Sequence, residues 1–255
     1  MRGIPDSFRA ALRLLILLIS LGGVAIRFWL LRARHGSRLE LWRRAQWLHQ
    51  ACSLILRRLG MQLECRGGRP AQGLVCSNHL SYLDILVYAA AFPCVFVSKL
   101  EVRRWPAFGF LARSGGTIFV DRRSRTGAGE VTRQIAEVLA AGVPVLLFPE
   151  GTSTDGGEVQ RFHPTLLQPA IDAAAEITAA AIGYRARNVA ERDLCWFGDA
   201  PFVSHLLRAL ARQQVIAEVE FFPERNVYSD RKTAALELRE QVAALRKRIK
   251  REAVA

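Results

Sequence analysis

The segment GLVCSNHLSYLDILVYAAA, residues 73–91, carries the pattern on which the fold prediction depends. Its apolar start, Gly73–Ser77, predicts a short buried strand, and Leu83–Ala91 predicts a helix. The polar residues that begin with Asn78 then lie where a strand ends and a helix begins. Because α/β folds bind ligands at the carboxyl ends of their strands, we expect a functional site at this junction.

The same alternation of short apolar runs and helical stretches continues along the chain after Gly60. Further strands are predicted at Cys94–Ser98, Thr117–Asp121, Val143–Phe148, Ile177–Tyr184 and Val215–Phe222. Further helices are predicted at Ala128–Ala141, Leu166–Ala175, Val203–Ala211 and Lys232–Glu252. Such alternation predicts a single α/β domain over residues 61–255, in which helices flank a mixed central sheet.

The amino-acid composition excludes several classes of protein. The 255 residues are 51% hydrophobic and 23% charged, which excludes a disordered tail, a fibrous repeat and a multi-span membrane protein. Lys and Arg number 36 against 23 Asp and Glu, a formal net charge of +13. This charge predicts an anionic partner, either nucleic acid or an anionic membrane surface, although an Arg-rich composition also arises from a GC-rich genome.

The five cysteines are widely spaced and contain no C-x-x-C pair, which excludes a disulfide scaffold. They are Cys52, Cys65, Cys76, Cys94 and Cys195. Their apolar surroundings predict buried free thiols in a reducing compartment, with no zinc site.

Residues 1–60 are predicted to be a helical membrane anchor. Leu14–Ile26 is uncharged but shorter than the roughly 18 residues that a spanning helix needs, unless flanking arginines snorkel. A signal peptide is the alternative, yet Gly22–Arg27 is a poor cleavage site. The arginines that follow favour an uncleaved anchor on the cytoplasmic face of the inner membrane. A second helix, ending before Gly60, carries one apolar stripe and Trp42, as an interfacial helix or a packed one would.

His79 and Asp84 are the candidate catalytic pair. Asp84 lies in the first turns of the predicted helix, from which its carboxylate can reach one imidazole nitrogen of His79. This contact would fix the tautomer and leave the other nitrogen free as a base. The alternative is structural: Asp84 caps the helix and His79 makes an ordinary hydrogen bond.

Two later segments place polar residues at other strand ends. The predicted strand Thr117–Asp121 leads into Arg122-Arg123, and Arg122 has the guanidinium fork that suits phosphate, or pairs with a neighbouring carboxylate. A second strand runs into Phe148-Pro149-Glu150-Gly151-Thr152. An acid there is costly unless it pairs with a cation or a hydroxyl, while Gly151 allows close backbone approach and Thr152 offers a donor.

Taken together, these three segments resemble the conserved blocks of the glycerolipid acyltransferase family, over roughly Gly73 to Tyr184. The matching residues are Asn78, His79 and Asp84 in the first block, Gly116, Phe119 and Arg122 in the second, and Phe148 to Thr152 in the third. The likeness is greatest to bacterial 1-acyl-sn-glycerol-3-phosphate acyltransferases. Members of this family commonly carry an N-terminal membrane-binding helical segment, as predicted for this chain.

The resemblance implies transfer of an acyl chain from acyl-CoA or acyl-ACP to the hydroxyl of a lysolipid, without metal or cofactor. His79, oriented by Asp84, would be the general base. Arg122 would hold a phosphate, and Glu150 with Gly151 would shape the acceptor site. Lys99, at another strand end, is a further candidate cation or an ordinary surface lysine. Lysophosphatidic acid is the first candidate acceptor.

Two features leave the acyl preference and the acceptor open. The fourth family block, which usually contains proline, reads Ile177–Ile182 without one, so acyl preference does not follow from it. The run from Phe148 to Gly156, together with Asp193–Asp199, also resembles the lyso-ornithine-lipid acyltransferase branch. An ornithine lipid has no phosphate for Arg122 to hold.

Two other classes of protein stay as alternatives. A serine hydrolase would use Ser77, Ser81 or Ser153 as nucleophile, but no G-x-S-x-G elbow presents such a serine. A basic nucleic-acid-binding protein at a membrane would bind in a salt-dependent way, yet no recognisable nucleic-acid fold motif occurs. No nucleic-acid partner is therefore expected.

Overall fold

The computed structural model describes residues 5–36, 40–121 and 127–252. Two N-terminal helices, α1 (Asp6–His35) and α2 (Leu41–Leu59), precede an α/β domain. Its strands are β1 (Gln62–Arg66), β2 (Leu74–Ser77), β3 (Val95–Lys99), β4 (Ile118–Val120), β5 (Val145–Leu147), β6 (Ile177–Arg185) and β7 (Ile216–Phe221). Its helices are α3 (Leu83–Ala91), α4 (Phe108–Gly115), α5 (Gly127–Ala140), α6 (Gln168–Asp172), α7 (Phe202–Ala211) and α8 (Arg231–Glu252).

The strands of the described residues form one mixed sheet in the order β1-β7-β6-β2-β5-β3-β4. β6, β2, β5, β3 and β4 run parallel to one another, whereas β7 is antiparallel to β6 and β1 is parallel to β7. β5 lies between β2 and β3, so the carboxyl ends of these three strands meet at one edge. The predicted α/β fold with a mixed sheet is confirmed.

Both faces of the sheet are covered. Successive side chains of a strand point to opposite faces, so Val75 packs into one apolar cluster while Leu74 and Cys76 pack into the other. The first cluster contains side chains of α1 to α4 and α7; the second contains those of α5, α6 and α8. The predicted strands and helices are all present, with ends that differ by a few residues.

Two elements were not predicted. Among the described strands, β1 pairs with β7 alone. Its polar residues Gln62, Glu64 and Arg66 alternate with half-buried apolar ones, which is a weak signal for a strand. α4 is short and contains Gly109 and Gly115, which disfavour a helix. Close packing against α2 explains the glycine at position 115, because a Cβ added there would lie 2.5 Å from a methyl carbon of Leu48 on α2.

The N-terminal helices, predicted as a separate anchor, pack into the same core as the sheet. Leu17, Val24 and Phe28 of α1 and Trp47 of α2 are buried in the first apolar cluster. The Phe28 and Trp47 rings lie 4.8 Å apart. α1 therefore lies against the domain along its length, with one side in the core.

The cysteines agree with the prediction of buried thiols. Cys52, Cys76, Cys94 and Cys195 are buried, Cys65 is half-buried, and all five are free. Burial raises the pKa of each thiol, which keeps the thiols protonated and chemically inert at neutral pH.

Candidate active site

The loop between β2 and α3 brings His79 and Asp84 together. His79 Nδ1 lies 2.7 Å from Asp84 Oδ2. Because the carboxylate only accepts, Nδ1 carries the proton and donates it, and the lone pair of the neutral ring lies on Nε2. The arrangement is that of a histidine prepared as a base.

Asp84 is completely buried and its charge is stabilised by hydrogen bonds. Oδ2 accepts the backbone N–H groups of Leu80 at 2.7 Å and Ser81 at 3.1 Å, in addition to His79. Oδ1 accepts the Tyr184 hydroxyl at 2.6 Å. Asp84 also lies in the first turn of α3, where the helix dipole favours an anion. The Asp84 carboxylate therefore holds the backbone that precedes α3 and contacts the imidazole, while α3 has Tyr82 at its N-cap and no side-chain capping hydrogen bond.

The His79 ring is held on its flat face by Phe148, the residue that follows β5. The two rings are stacked with centroids 4.1 Å apart and planes 13° apart. One edge of the imidazole thus faces Asp84, one face is covered, and 20% of the side chain stays exposed.

The Glu150 carboxylate fixes the backbone of the loop between β2 and α3. Its Oε1 accepts the His79 N–H and its Oε2 accepts the Gln160 N–H, each at 2.8 Å. Burial raises the pKa of Glu150, and these hydrogen bonds act in the opposite direction. Gly151 closes the turn with a hydrogen bond from its N–H to the Phe148 carbonyl and a φ of +73°, which a glycine adopts without strain.

His79 opens onto a cavity of about 410 Å³. Of the predicted site residues, Lys99, Gly151 and Thr152 line it as well. Most of the remaining wall is apolar or aromatic, with contributions from Tyr82, Phe96, Val97, Val102, Trp105, Phe108, Val120, Leu147, Phe148, Leu166 and Trp196. A polar reactive edge at a mainly apolar cavity suits a substrate with a long hydrocarbon chain.

The other predicted site residues lie elsewhere. The Asn78 amide is buried, donating to the Ile182 carbonyl at 3.0 Å and accepting the Ile182 N–H at 2.9 Å, so it fastens the His79 loop to β6. Gly116 ends α4 with a φ of +91°. Phe119 lies between Ile118 and Val120 on β4, so it faces away from the side on which Val120 lines the cavity. Arg122 lies outside the described residues.

Sequence reasoning did not find the partners that hold the pair. Tyr184 is 100 residues away from Asp84 in sequence, and the block that contains Phe148 does not indicate that its ring stacks on His79. An aromatic cluster beside the cavity was also missed: Tyr82, Trp105, Phe108, Trp196 and Phe202, with neighbouring ring centroids 4.9–6.5 Å apart. The only sequence signal was that aromatic residues recur in these segments.

The serines considered as nucleophiles are placed differently from one another. Ser77 and Ser81 are fully buried, and Ser77 Oγ lies 2.5 Å from the Tyr88 hydroxyl. Ser153 lines the cavity. Burial therefore removes two of the three candidates for a hydrolase nucleophile.

The sequence matches the model of the Acyltransferase family over residues 63–183. It is 36% identical over 177 residues to a lyso-ornithine lipid O-acyltransferase of Pseudomonas aeruginosa, covering 68% of this chain and 64% of that protein. It is 32% identical over 172 residues to a 1-acyl-sn-glycerol-3-phosphate acyltransferase of Neisseria meningitidis, covering 66% of this chain and 67% of that protein. The chain belongs to the acyltransferase family, as its three sequence blocks predicted. It spans less than two thirds of the length of the Pseudomonas protein.

The fold is also shared with a solved structure. The crystal structure of the 1-acyl-sn-glycerophosphate acyltransferase PlsC from Thermotoga maritima matches with a TM-score of 0.69 over 98% of both chains. Sequence identity is 18%, so this likeness concerns the fold. Because the match covers 98% of this chain, it includes the N-terminal helices as well as the α/β domain.

Proposed function

We propose that this protein transfers an acyl chain from a thioester of coenzyme A or acyl carrier protein to the free hydroxyl of a lysolipid. The observation that carries the proposal is the His79–Asp84 pair at the edge of an apolar cavity. The pair supplies a base for the hydroxyl, and the cavity suits a fatty chain. The names of the two relatives support the same class of reaction.

In the proposed reaction His79 Nε2 takes the proton of the acceptor hydroxyl as that oxygen attacks the thioester carbonyl carbon. The tetrahedral intermediate collapses, the carbon–sulfur bond breaks, and the imidazolium returns the proton to the departing thiolate. Asp84 stabilises the imidazolium between these steps. The products are an ester and a free thiol, and no covalent enzyme intermediate is needed.

Two acceptors fit this chemistry. Lysophosphatidic acid needs cations for its phosphate, and Lys99 lines the cavity, while Arg122 stays the predicted second cation. Lyso-ornithine lipid instead presents an amine and a carboxylate. Glu101 lines the cavity together with Lys99, so the wall carries one acidic and one basic side chain. These charges are complementary to the amine and the carboxylate of lyso-ornithine lipid, which supports it as the second candidate acceptor.

The experiment is acyl transfer by the purified protein in lipid micelles. Palmitoyl-CoA, oleoyl-CoA and an acyl carrier protein thioester are each offered with lysophosphatidic acid, lyso-ornithine lipid or no acceptor, and the lipid products are separated. We expect a diacylated product from one acceptor. Release of free fatty acid without any acceptor would instead indicate a hydrolase that uses Ser153. Absence of both products, with salt-dependent binding to DNA or RNA, would favour the nucleic-acid alternative.

The exposed side of α1 supports membrane association. By length and composition this helix can cross a bilayer. Its exposed apolar residues all fall on one helical face: Phe8, Leu15, Leu18, Ile19, Ile26, Trp29 and Leu30. Its opposite face is packed in the core. We therefore propose that α1 lies in one leaflet, on the cytoplasmic side, and does not span.

The cavity is linked to this face through α7. Phe202, at the start of α7, packs on Tyr82 and Phe108 of the cavity wall, with centroids 4.9 and 5.8 Å apart. Further along the same helix, Val203 and Leu207 are exposed apolar residues. A lipid chain in the cavity would thus lie close to the bilayer that α1 contacts.

Replacing Leu18 and Ile19 together by glutamate is expected to lower binding to vesicles of anionic phospholipid by about 10²–10⁴-fold, since each buried side chain contributes roughly 1.5–3 kcal/mol. Both are more than half exposed in this structure, so folding is expected to be unaffected. Co-sedimentation measures the change. Leu236→Glu is the matched control, because Leu236 is equally exposed but lies on α8. Equal binding by all three proteins would contradict a role for the α1 face.

A further inference from the structure

We propose that Tyr184 is a positioning residue for the His79–Asp84 pair, holding the second carboxylate oxygen of Asp84 so that the first stays aligned with the imidazole. This inference rests on the proposed function, because it assigns Tyr184 a role through the proposed base. It also makes a statement about His79 that is measured without turnover.

The distribution of donors around Asp84 is the first observation. Three N–H donors, from His79, Leu80 and Ser81, converge on Oδ2. On Oδ1, the hydrogen bond within the described residues comes from the Tyr184 hydroxyl, at 2.6 Å. Without it, rotation of the carboxylate would cost no hydrogen bond at Oδ1. Tyr184 therefore restrains the angle at which Oδ2 meets the ring of His79.

Tyr184 is itself held rigidly. It is 4% exposed, and its backbone N–H donates to Glu191 Oε1 at 2.9 Å. Arg246 of α8 pairs with the same carboxylate, at 2.8 Å, and bonds the Ile182 carbonyl at 2.9 Å. Asn78 bonds the same residue of β6. The end of β6 is thus fixed to α8 on one side and to the His79 loop on the other.

The hydroxyl is a permanent donor. Burial, and next the charge of Asp84, raise the pKa of Tyr184 well above its ordinary value. The phenol consequently keeps its proton throughout the range in which His79 would work as a base. A donor that never titrates withdraws charge from the carboxylate at every working pH.

The electrostatic consequence has a definite sign. Removing the hydroxyl leaves more negative charge on Asp84, which favours the imidazolium form of His79, so His79 should titrate at higher pH. Several other titratable groups surround the pair. They are Glu150 beside His79, Tyr88 on α3, Cys195 after β6, and the Glu191–Arg246 ion pair. A single hydroxyl removal leaves all of these unchanged.

The test compares Tyr184→Phe with Tyr88→Phe in the full-length protein. Tyr88 is an equally buried tyrosine whose hydroxyl contacts Ser77 instead of Asp84. For Tyr184→Phe we expect kcat to fall about tenfold, the change in rate that corresponds to the free energy of one hydrogen bond to a charged group. KM for the lysolipid should change less than twofold, and the acidic limb of the pH–rate profile should move to higher pH. Tyr88→Phe should keep the wild-type profile.

A titration followed by NMR of labelled histidine provides the second measurement, with the His79 signals identified by their loss in His79→Ala. The midpoint pH of the change in the His79 signals should be higher in Tyr184→Phe than in wild type or Tyr88→Phe. Coincident titrations in all three proteins would overturn the proposal, whatever the activity. If the titration moves but wild-type protein transfers no acyl group, the positioning role holds and the proposed function fails.

Discussion

Replacing His79 by alanine is expected to lower the rate of acyl transfer by about 10²–10⁴-fold, the contribution of a positioned general base. The ring lies on the cavity wall, and its loss removes the base together with the stacking on Phe148 and the hydrogen bond to Asp84. Initial rates of ester formation from a labelled thioester measure the effect. KM for the donor should change little, because the imidazole acts on the acceptor hydroxyl.

His163→Ala is the matched control, because His163 is an exposed histidine in the segment that follows the Glu150 turn and does not line the cavity. It should retain the wild-type rate. A His79→Ala protein that is folded and transfers acyl chains at more than a tenth of the wild-type rate would exclude His79 as the base.

Asp84→Asn is expected to lower the rate by about 10³–10⁴-fold, the scale seen when the carboxylate of a catalytic triad loses its charge. An amide has one oxygen for the two sets of donors, so its NH₂ group faces either the Tyr184 hydroxyl or the N–H groups on Oδ2. A buried donor then lacks an acceptor, which costs about 1–3 kcal/mol of folding free energy. Both the rate and the thermal midpoint of unfolding should fall.

The double variant His79→Ala/Asp84→Asn distinguishes a role of Asp84 in orienting the base from a general loss of structure. If Asp84 acts through His79, adding Asp84→Asn to His79→Ala should lower the rate little further, since residues that act as a unit are not additive. Independent, multiplying losses would contradict the pair. Asp172→Asn, at an exposed position on α6, controls for the amide substitution and should leave rate and stability unchanged.

The strand ends were predictable from the sequence, and with them the center of the site. Gly73–Ser77 and Val143–Phe148 are apolar runs that stop at polar residues, and buried parallel strands have this pattern. The order of the strands in the sheet was not predictable from the sequence. Only the adjacency of β2 and β5 shows that the Glu150 carboxylate reaches the His79 backbone. The role predicted for Glu150, shaping the acceptor site, stays a prediction, and both of its carboxylate oxygens accept backbone N–H groups.

The remaining features depend on long-range contacts, which local pattern does not encode. Tyr184 meets Asp84 and Asn78 meets Ile182 across about a hundred residues of chain. The substrate-binding role that its block implies for Asn78 stays a prediction, and the Asn78 amide forms hydrogen bonds with the backbone of Ile182 on β6. The same limit applies to Gly116, whose backbone conformation ends a helix that the sequence did not indicate.

The attachment of α1 to α7 has a kinetic consequence. Arg9, almost fully buried, donates to the Ala211 carbonyl at 2.7 Å, and Arg13 donates to the Leu210 carbonyl at 3.1 Å. These are the last carbonyls of α7, which arginines commonly cap. If α1 lies in a leaflet as proposed, these hydrogen bonds would attach α7, and with it the cavity wall, to the membrane-bound helix. Under the proposed function, turnover would then depend on the mole fraction of acceptor in the membrane plane, and diluting the acceptor with an inert lipid would lower the rate at constant total acceptor.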